Sequence, residues 1–540
     1  MAKPIELLPE DIQRLMGKDA QRNNILAARM VAEVIKTTLG PKGMDKMLVS
    51  PNDDIIVTND GVTILEEMQI EHPAAKMMVE IAKTQESEVG DGTTTSVMIA
   101  GKLLENAEKL LDQKIHPTTI TKGYRLAEEK AQEILKEISL GISSENEDIL
   151  RQVAMTAMTG KGAEDSKEKL SWIIIRAIKM ISNQGKIDLT DVKIEKMKGD
   201  GISNSELVYG IVLDKEKISQ DMPSEIRNAR IALIDFPIEI KNPEIDTKIS
   251  INSPEQLKNF LEEEEEYIRG MVERIVASGA NVVFCQKGID DFANYLLARE
   301  RICAFRRVAR SDMEKLSKAT GERIVSNINE ISQKDLGESE SVEELKTREN
   351  NFTYVRGCKN PKAVTILIHG GSEHVIDETE RAIKDGLGDV SSAIETKLVV
   401  PGGGAIEIEL SKRLKEFSKT IEGREKLAVV EFANALEFIP STLAENAGLD
   451  PIDILTELRT KHDKGEMNVG LNLFTNRVEN VIGAQIIEPY KIKSQALSSS
   501  TEVAIMILRI DDIIASKPNK KGKMNSMEFK KGQDYLSGLE

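Results

Sequence analysis

The chain has 540 residues, which predicts about three domains at roughly 150 residues each, because a single hydrophobic core does not grow to that size. Hydrophobic residues make up 40%, charged residues 30% and aromatic residues only 4%, which excludes a disordered or fibrous protein and predicts a helix-rich one with an aliphatic core. With 73 Lys and Arg against 90 Asp and Glu, the formal charge of −17 gives no electrostatic basis for binding nucleic acid.

The first predicted element is a helix over residues 23–39, where apolar side chains recur at helical spacing. Gly40 and Pro41 end it, because glycine accepts the left-handed cap conformation and proline cannot continue the hydrogen-bond ladder. Two short strands, DKMLV and DIIVTN, come next, followed by the turn TNDG and a new helix. A further long helix follows the glycine-rich turn GDGTTTS.

The middle of the chain predicts helices first and a mixed module afterwards. Residues 120–180 are largely helical, with breaks at LGISSENE and MTGKGAED. From ELVYGIVLDKE to about residue 366, strands such as NVVFCQ, ERIVSNI and FTYVRG alternate with helical segments, which is typical of an α/β module. After that the chain returns to helices, passes GGGAIEIE, and is predicted to form a strand at EVAIMILRIDDI before a lysine-rich tail that starts at Lys517.

The segment 242–275 differs from the rest of this module. Ser253, Pro254 and Gln256 form a typical helix start, with a capping side chain and proline in the first turn. An apolar stripe follows and is interrupted by the acidic run at residues 262–266. This pattern favours a surface helix with a solvated acidic face, and the alternative is a helix that extends from the module and exposes apolar positions to a partner.

The turn GDGTTTS leaves two interpretations open for Asp91. A glycine turn at a helix start offers free backbone N–H groups to phosphate, and the three threonines after it add hydroxyl donors. A carboxylate beside phosphate requires a Mg²⁺ ion between the two, so in this interpretation Asp91 is a metal ligand. In the other, Asp91 is an ordinary helix cap.

Each of the remaining polar motifs is, by itself, weak evidence for a nucleotide site. TLGPKG also lies at a helix end, and GGGAIEIE suits a phosphate cradle or a plain hinge. Asp60 and Asp385 could hold an attacking water for phosphoryl transfer and Lys161 could contact a γ-phosphate, but each also fits a turn, helix or loop position. The sequence contains no P-loop and no HExxH or GxSxG pattern, which argues against P-loop nucleotide binding, a zinc hydrolase and a serine hydrolase.

The cysteines and the N-terminus indicate the cellular compartment of the protein. Cys285, Cys303 and Cys358 show no CxxC spacing and leave an odd thiol, which favours a reducing compartment without structural zinc. The N-terminus lacks the features of a signal peptide, and no apolar stretch approaches the roughly 18 uninterrupted residues of a membrane span. We therefore expect a cytoplasmic protein with no integral membrane association.

Taken together, TLGPKG, TNDGVTIL, VGDGTTTSV, TGKG, DETERAIKDG, PGGGAIEIEL, LAENAGLDPIDIL and IIEPYKIKSQAL resemble the chaperonins over residues 10–516. NPKAVTILIHGG, GLNLF and the 242–275 segment are similar to the group II branch, the archaeal thermosome in particular.

The resemblance implies a multidomain α/β chaperonin fold with three nested domains. Residues 1–141 and 400–516 would form a mostly helical equatorial ATP-binding domain, and residues 142–208 and 367–399 a small α/β intermediate hinge domain. Residues 209–366 would form an α/β apical substrate-binding domain. Its helical protrusion, about 242–275, would be a built-in lid, and 517–540 a flexible tail.

The resemblance also implies the roles of the site residues. Asp91 would hold the Mg²⁺ of bound ATP, and Asp60 and Asp385 would orient the attacking water, with Lys161 as γ-phosphate sensor. The nucleotide itself would be held by residues from six stretches of the chain: Leu39, Gly40, Pro41, Asn59, Gly61, Gly92, Thr93, Thr94, Thr95, Gly403, Gly404, Asn472 and Glu488.

The function implied is that of a chaperone subunit with ATPase activity, in a double ring that encloses non-native proteins, where Mg-ATP hydrolysis closes the lid. Its partners would be non-native clients and homologous subunits, in a ring that is hetero-oligomeric. His369, the stretch 217–223 and the tail depart from the usual pattern. They motivate the alternative of a scaffold or holdase subunit with little hydrolysis of its own.

Overall fold

A computed structural model describes the chain from residue 12 to residue 516, except for a few short gaps: 50–52, 54, 163, 183–185, 241–252, 347–350 and 360. The expected tail at 517–540, the first eleven residues and the first part of the 242–275 segment lie outside the described residues.

Helices make up most of the first and last parts of the described chain. In chain order they are α1 Lys18–Lys36, α2 Gly61–Glu67, α3 Pro73–Val89, α4 Thr93–Asp112, α5 Pro117–Ile138, α6 Glu147–Met158, α7 Lys167–Ile181, α8 Pro254–Ser278, α9 Asp291–Arg299, α10 Arg310–Thr320, α11 Glu373–Thr396, α12 Ala405–Ser418, α13 Glu425–Leu436, α14 Phe438–Asn446, α15 Pro451–Asp463 and α16 Tyr490–Leu508.

Strands concentrate in the middle of the chain. They are β1 Ile12–Met16, β2 Lys46–Val49, β3 Ile55–Thr58, β4 Leu140–Gly141, β5 Val192–Lys198, β6 Glu206–Val208, β7 Gly210–Leu213, β8 Glu225–Ile234, β9 Val282–Cys285, β10 Cys303–Phe305, β11 Gly337–Lys346, β12 Asn351–Arg356, β13 Val364–Gly370, β14 Leu398–Pro401, β15 Val469–Asn472, β16 Arg477–Asn480, β17 Ile487–Pro489 and β18 Asp512–Ser516.

The largest sheet has six strands in the order β10-β9-β8-β11-β12-β7, with β8, β9 and β10 parallel. Two three-stranded sheets have the orders β5-β13-β6 and β17-β14-β4. Three further pairs, β1-β18, β2-β3 and β15-β16, are antiparallel. Because β1 pairs with β18, both ends of the described chain lie side by side.

Buried apolar residues form separate clusters that follow a nested order along the chain. The first cluster draws on residues 25–135 and 400–508, almost entirely from helices. A second draws on 150–192 and 364–399, together with Ile487. Two more lie on opposite faces of the six-stranded sheet, which holds only residues of the middle region. The chain therefore passes from the first cluster into the second and back, with the sheet inserted in between.

As far as the structure describes helix α8, its second half packs on the protein and its first half is exposed. Its start is as predicted, since Ser253 accepts a hydrogen bond from the Gln256 backbone N–H and Pro254 is in the first turn. Ile268 and Ile275, in its second half, are buried against the six-stranded sheet. Leu261, by contrast, is 50% exposed. The helix thus combines a packed C-terminal half with an N-terminal half that faces solvent.

Two predicted strands are wrong. ERIVSNI forms no strand, and only Val325 makes an isolated bridge, to Ile234 at the end of β8. The stretch EVAIMILRIDDI continues α16 as far as Leu508, and the strand begins only at Asp512. Its β-branched and apolar residues suggested a strand, but they pack on α3, α4 and α5 at helical spacing, and tertiary packing overrides local propensity.

One described stretch, Glu425–Asn446, is long and apolar enough to cross a membrane by length and hydropathy alone. It comprises α13 and α14, and 67% of its most apolar window is buried inside the protein. Its apolar character is therefore explained by packing, because Phe432 and Leu436 belong to the first cluster.

A buried histidine–carboxylate contact connects α12 and α15 inside the first cluster. His462 is fully buried, with Nδ1 2.8 Å from Glu409 Oε2 and Nε2 2.8 Å from the Val469 carbonyl. Both ring nitrogens of His462 therefore face oxygen atoms, one from the Glu409 carboxylate and one from the Val469 carbonyl. Arg413 donates to the other Glu409 oxygen at 2.8 Å. Burial alone would raise the pKa of Glu409, but hydrogen bonds from His462 and Arg413 outweigh it, and the pKa is lowered.

We expect His462→Leu to destabilise the helical first cluster by about 3 kcal/mol, because it leaves a buried carboxylate with one partner fewer. The thermal unfolding midpoint measures this. His374→Leu is the matched control, since His374 is exposed at the start of α11, and it should leave the midpoint unchanged. Equal midpoints for both variants would contradict the structural role of the His462 pair.

Candidate functional site

A cavity of about 480 Å³ lies where the first and second clusters meet. Glycine-rich turns and polar side chains line much of its wall: Thr38, Leu39, Gly40, Pro41, Asn59, Asp60, Gly61, Asp91, Gly92, Thr93, Thr94, Thr95, Thr156, Thr159, Gly160, Lys161, Lys167, Glu168, Asp389, Gly403, Gly404, Gln485, Glu488 and Lys493. An apolar part completes it: Met155, Ala157, Ile439, Leu443, Leu471, Leu473, Phe474, Ala484, Ile486 and Ile492.

The turn between α3 and α4 decides between the two interpretations of Asp91. Gly90 and Gly92 adopt positive φ angles of 89° and 81°, and Gly92 is the N-cap residue of α4, which has no side-chain cap. Asp91 therefore does not cap the helix. Gln85 fixes the turn by donating to the Asp91 carbonyl at 2.9 Å. The free N–H groups of α4 and the Asp91 carboxylate are both available to the cavity.

Asp60, in contrast, does cap a helix. Its Oδ2 accepts hydrogen bonds from the Thr63 backbone N–H at 2.8 Å and from the Thr63 hydroxyl at 2.6 Å, at the start of α2. Next to it, Asn59 donates to the Gly160 carbonyl at 2.8 Å, which joins this turn to the loop that carries Lys161. Both hydrogen bonds that hold Asp60 at the cavity wall involve Oδ2, so Oδ1 is available to a ligand or water.

Lys161 forms a bridge between two carboxylates from distant parts of the chain. Its Nζ lies 2.5 Å from Asp385 Oδ2, on α11, and 3.2 Å from Asp91 Oδ1, in the α3–α4 turn. Burial alone would lower the pKa of Lys161, but Asp385 and Asp91 outweigh it and raise the pKa well above its ordinary value. The lysine is therefore charged in this site.

Two carboxyl groups near this lysine, Asp385 and Glu86, have raised pKa values. Burial, with help from the charges of Asp91 and Asp60, raises the pKa of Asp385 to about 7 despite the opposing charge of Lys161. Burial also raises the pKa of Glu86 to about 8, with smaller contributions from Asp385 and Asp60. A carboxyl group with a pKa near 7 suits proton transfer at neutral pH.

A close backbone contact sets the distance between α11 and the turn. A Cβ atom on Gly388 would lie 2.6 Å from the Val89 carbonyl oxygen, at the end of α3. Real Cβ atoms do not approach that closely, so only glycine permits α11 to lie directly on the turn that carries Asp91. The same contact brings the acidic face of α11 to the cavity.

Most predicted site residues lie around this one cavity. All of the expected nucleotide-binding residues line it except Asn472, together with Asp60, Asp91 and Lys161. Asp385 lies behind Lys161 rather than in the wall. Asn472 instead donates to Glu479 Oε1 at 2.6 Å and accepts from the Phe474 N–H, while its neighbours Leu471 and Leu473 line the cavity.

Several residues that were not predicted also belong to the site. Asp389 lines it one helical turn after Asp385, a four-residue spacing that was visible in KDGLGD. Lys167 lies 5.0 Å from the centre of the Phe474 ring, and both line the cavity. Lys493 contacts Glu488 Oε2 at 2.6 Å. Nothing local in the sequence indicates these last contacts, which depend on the packing of distant segments.

A Mg²⁺ ion together with a phosphate group fits the residues present. Among the residues described, no three His, Cys, Asp or Glu side chains are close enough to hold a metal by themselves. Mg²⁺ is commonly bound by one or two carboxylates and by substrate phosphates, so a single Asp91 in a turn with free N–H groups suffices only if phosphate is bound too.

Comparisons with known proteins agree on one family. The sequence model of the TCP-1/cpn60 chaperonin family matches residues 31–518. The chain is 54% identical to thermosome subunit beta of Archaeoglobus fulgidus, over 96% of both chains, and 52% identical to thermosome subunit alpha of that organism, over 99% of this chain and 98% of the relative. Among solved structures it is similar to the open-state monomer of a group II chaperonin from Methanococcoides burtonii, with a TM-score of 0.59, 46% identity, and coverage of 78% of this chain and all of that one.

We expect Gly388→Ala to separate α11 from the α3–α4 turn and to lower the thermal midpoint. Its steric cost of about 1–3 kcal/mol exceeds the roughly 1 kcal/mol that alanine gains in a helix. Gly270→Ala is the control, because a Cβ there meets no atom within 4 Å, and that variant should be neutral or slightly more stable. If both variants unfold at the wild-type temperature, Gly388 does not set the spacing of the site.

Proposed function

This chain belongs to the TCP-1/cpn60 chaperonin family, and from that membership we infer the function of its polar cavity. It is a subunit of a group II chaperonin, an ATP-hydrolysing chaperone built as a double ring of homologous subunits that assists protein folding. We propose that the cavity between the first and second clusters is its ATP site. The observation that carries this proposal is the Lys161 bridge between Asp91 and Asp385 at the cavity wall.

The cavity offers distinct surroundings for the parts of ATP. Its volume of about 480 Å³ suits a nucleotide-sized ligand. We propose that the free N–H groups of α4 and the hydroxyls of Thr93, Thr94 and Thr95 hold phosphate oxygens. The loop of Leu39, Gly40 and Pro41, with Asn59 and Gly61, would close the other side of the phosphates.

The ribose and base would occupy the opposite end of the cavity. There the wall consists of Gly403, Gly404 and Glu488, with apolar neighbours such as Leu471 and Ile486. Burial raises the pKa of Glu488 even against the opposing charge of Lys493. Asn472 would contribute through its backbone or after its side chain leaves Glu479.

Asp91 is the residue proposed to hold Mg²⁺, which when bound supplies positive charge to the phosphates. The nearby Lys161 would exchange its contact with Asp91 for one with the γ-phosphate, because both are anions that compete for the same ammonium group. Nucleotide binding would then affect α11 through the remaining contact of Lys161 with Asp385, which is 2.5 Å long.

Asp60 and Asp385 are proposed to orient and deprotonate the attacking water. Asp60 is fixed by its two hydrogen bonds to Thr63, which leaves Oδ1 in a defined direction. Asp385 has a pKa of about 7, raised by burial, so it can accept a proton from water at neutral pH. Because Asp385 belongs to α11 and Asp60 to the start of α2, hydrolysis requires these two segments to be together.

We propose that the clusters correspond to three functional domains. Residues 1–141 and 400–516, which contain the first cluster, would be the equatorial ATP-binding domain, and 142–208 with 367–399 the intermediate hinge domain. Residues 209–366 would be the apical domain, in which the half-exposed α8 belongs to the lid. The clusters, whose sequence ranges are nested in the same order, support this division.

The proposed partners are non-native proteins, held by the apical domain, and homologous subunits. Relatives that carry the names alpha and beta in one organism support a hetero-oligomeric ring. The cytoplasm is the proposed location, since all three cysteines are buried free thiols, as suits a reducing compartment.

Asp385→Asn should lower the ATP turnover rate by about 10²–10⁴, because the amide cannot accept a proton, while ATP affinity stays within a few-fold of wild type. Phosphate release and equilibrium ATP binding measure the two effects separately. Asp377→Asn, at a half-exposed position two turns earlier on α11, is the control and should turn over normally. Normal turnover by Asp385→Asn would refute the catalytic assignment.

The native mass of the purified chain should reach the order of a megadalton if it forms a double ring of its own copies. We would measure it with and without Mg-ATP and follow phosphate release in the same samples. A small oligomer that still binds ATP would contradict self-assembly and indicate that other subunits complete the ring. A large particle without single-turnover ATP cleavage would instead support the scaffold alternative.

A further inference from the structure

Asp389 is a buried carboxylate at the cavity that has no assigned role in the proposed ATP site. It lies in the middle of α11, 2% exposed, and lines the cavity one turn after Asp385. Its Oδ1 has no hydrogen-bond partner in the described part of the protein. A buried charged oxygen without a partner is costly, so such a group is expected to receive a ligand.

The lysines that line the cavity are already engaged elsewhere. Lys161 contacts Asp385 and Asp91. Lys493 lies 2.9 Å from Glu407 and 2.6 Å from Glu488.

The third lysine in the wall, Lys167, contacts Glu164 at 2.8 Å. Each lysine in the wall thus has its own carboxylate partners. Among the described residues no lysine or arginine forms an ion pair with Asp389, which the positive charge of Lys161 affects only at longer range, so the partner that Asp389 lacks is a cation. Without that cation, burial, followed by the negative charge of Asp91, raises the pKa of Asp389 well above its ordinary value.

We propose that Asp389 is a second carboxylate ligand, beside Asp91, for the divalent cation that accompanies the nucleotide. This rests on the proposed function, since it presumes that the cavity binds a nucleotide with Mg²⁺. Mg²⁺ accepts one or two carboxylates together with phosphate oxygens, so a pair of aspartates and a nucleotide meets its requirements.

The packing of α11 explains how two distant residues come to share an ion. Gly388 immediately precedes Asp389, and a Cβ on Gly90 would be only 3.4 Å from the Gly388 Cα, so the helix lies directly on the turn that carries Asp91. Asp385 is less suited to the same role, because Lys161 occupies its Oδ2 and it is not part of the cavity wall. The ion would therefore connect the α3–α4 turn to α11.

The test compares ADP binding with and without Mg²⁺ by titration calorimetry on the full-length chain. We expect Asp389→Asn to weaken ADP binding in Mg²⁺ by about tenfold or more, as loss of a metal-site partner does. In EDTA the same variant should bind ADP as tightly as wild type or more tightly, since a negative charge near the phosphates is gone. A residue with a merely structural role would weaken both affinities together.

Two further variants keep the outcome decisive. Asp389→Ala removes the carboxylate without leaving an amide and should behave like Asp389→Asn, so a folding defect in one does not end the test. Glu395→Gln, at an exposed position in the last turn of α11, is the control and should match wild type in both buffers.

The failures of the two proposals are distinguishable. If Mg²⁺ strengthens ADP binding in wild type, Asp91→Asn loses that gain and Asp389→Asn keeps it, then Asp389 is not a ligand and the ATP site stands. If wild type binds no ADP, or binds it equally in Mg²⁺ and EDTA, then the proposed metal-nucleotide site fails and this inference fails with it.

Discussion

The contact of Lys161 with Asp385 and Asp91 is the interaction on which the arrangement of the site depends. Three segments meet at this one ammonium group: the loop after α6, the α3–α4 turn and the middle of α11. The site carries several carboxyl groups and few bases, so its like charges would separate these segments if nothing held them. A single cation shared by two anions makes their proximity favourable.

Close backbone packing provides the other half of that arrangement. Electrostatic attraction alone would not fix distances, but α11 rests on the α3–α4 turn without intervening side chains, because Gly388 lies against Val89. The first cluster supports the turn from one side and the second cluster supports α11 from the other. The chemistry is therefore located at a junction between two cores, where a small displacement of one relative to the other alters the site.

The sequence alone predicted much of this site and much of the fold, for identifiable reasons. The glycine turns beside Asp91 and Gly403 were predictable because each motif is local, and the start of α8 followed from its capping residues. The strands in the six-stranded sheet were found where they alternate with clear turns. The strand predicted at the end of α16 was wrong. Its β-branched residues favour a strand by local propensity, but three helices pack around them in the folded chain. Whether Asp91 caps a helix was left open and required the backbone angles. Asp389 was missed because burial and a missing hydrogen-bond partner are properties of the folded chain.

The paired strands at the cluster boundaries have a mechanical consequence. Between the first and second clusters the chain crosses twice, and the crossing segments are hydrogen-bonded to each other, with Leu140 opposite Val399 in β4 and β14. Toward the six-stranded sheet, β6 likewise pairs with β13. Two crossing segments joined by backbone hydrogen bonds form an antiparallel ribbon, which has less conformational freedom than two separate segments would have. At each junction the two crossing segments are therefore constrained to move together rather than independently.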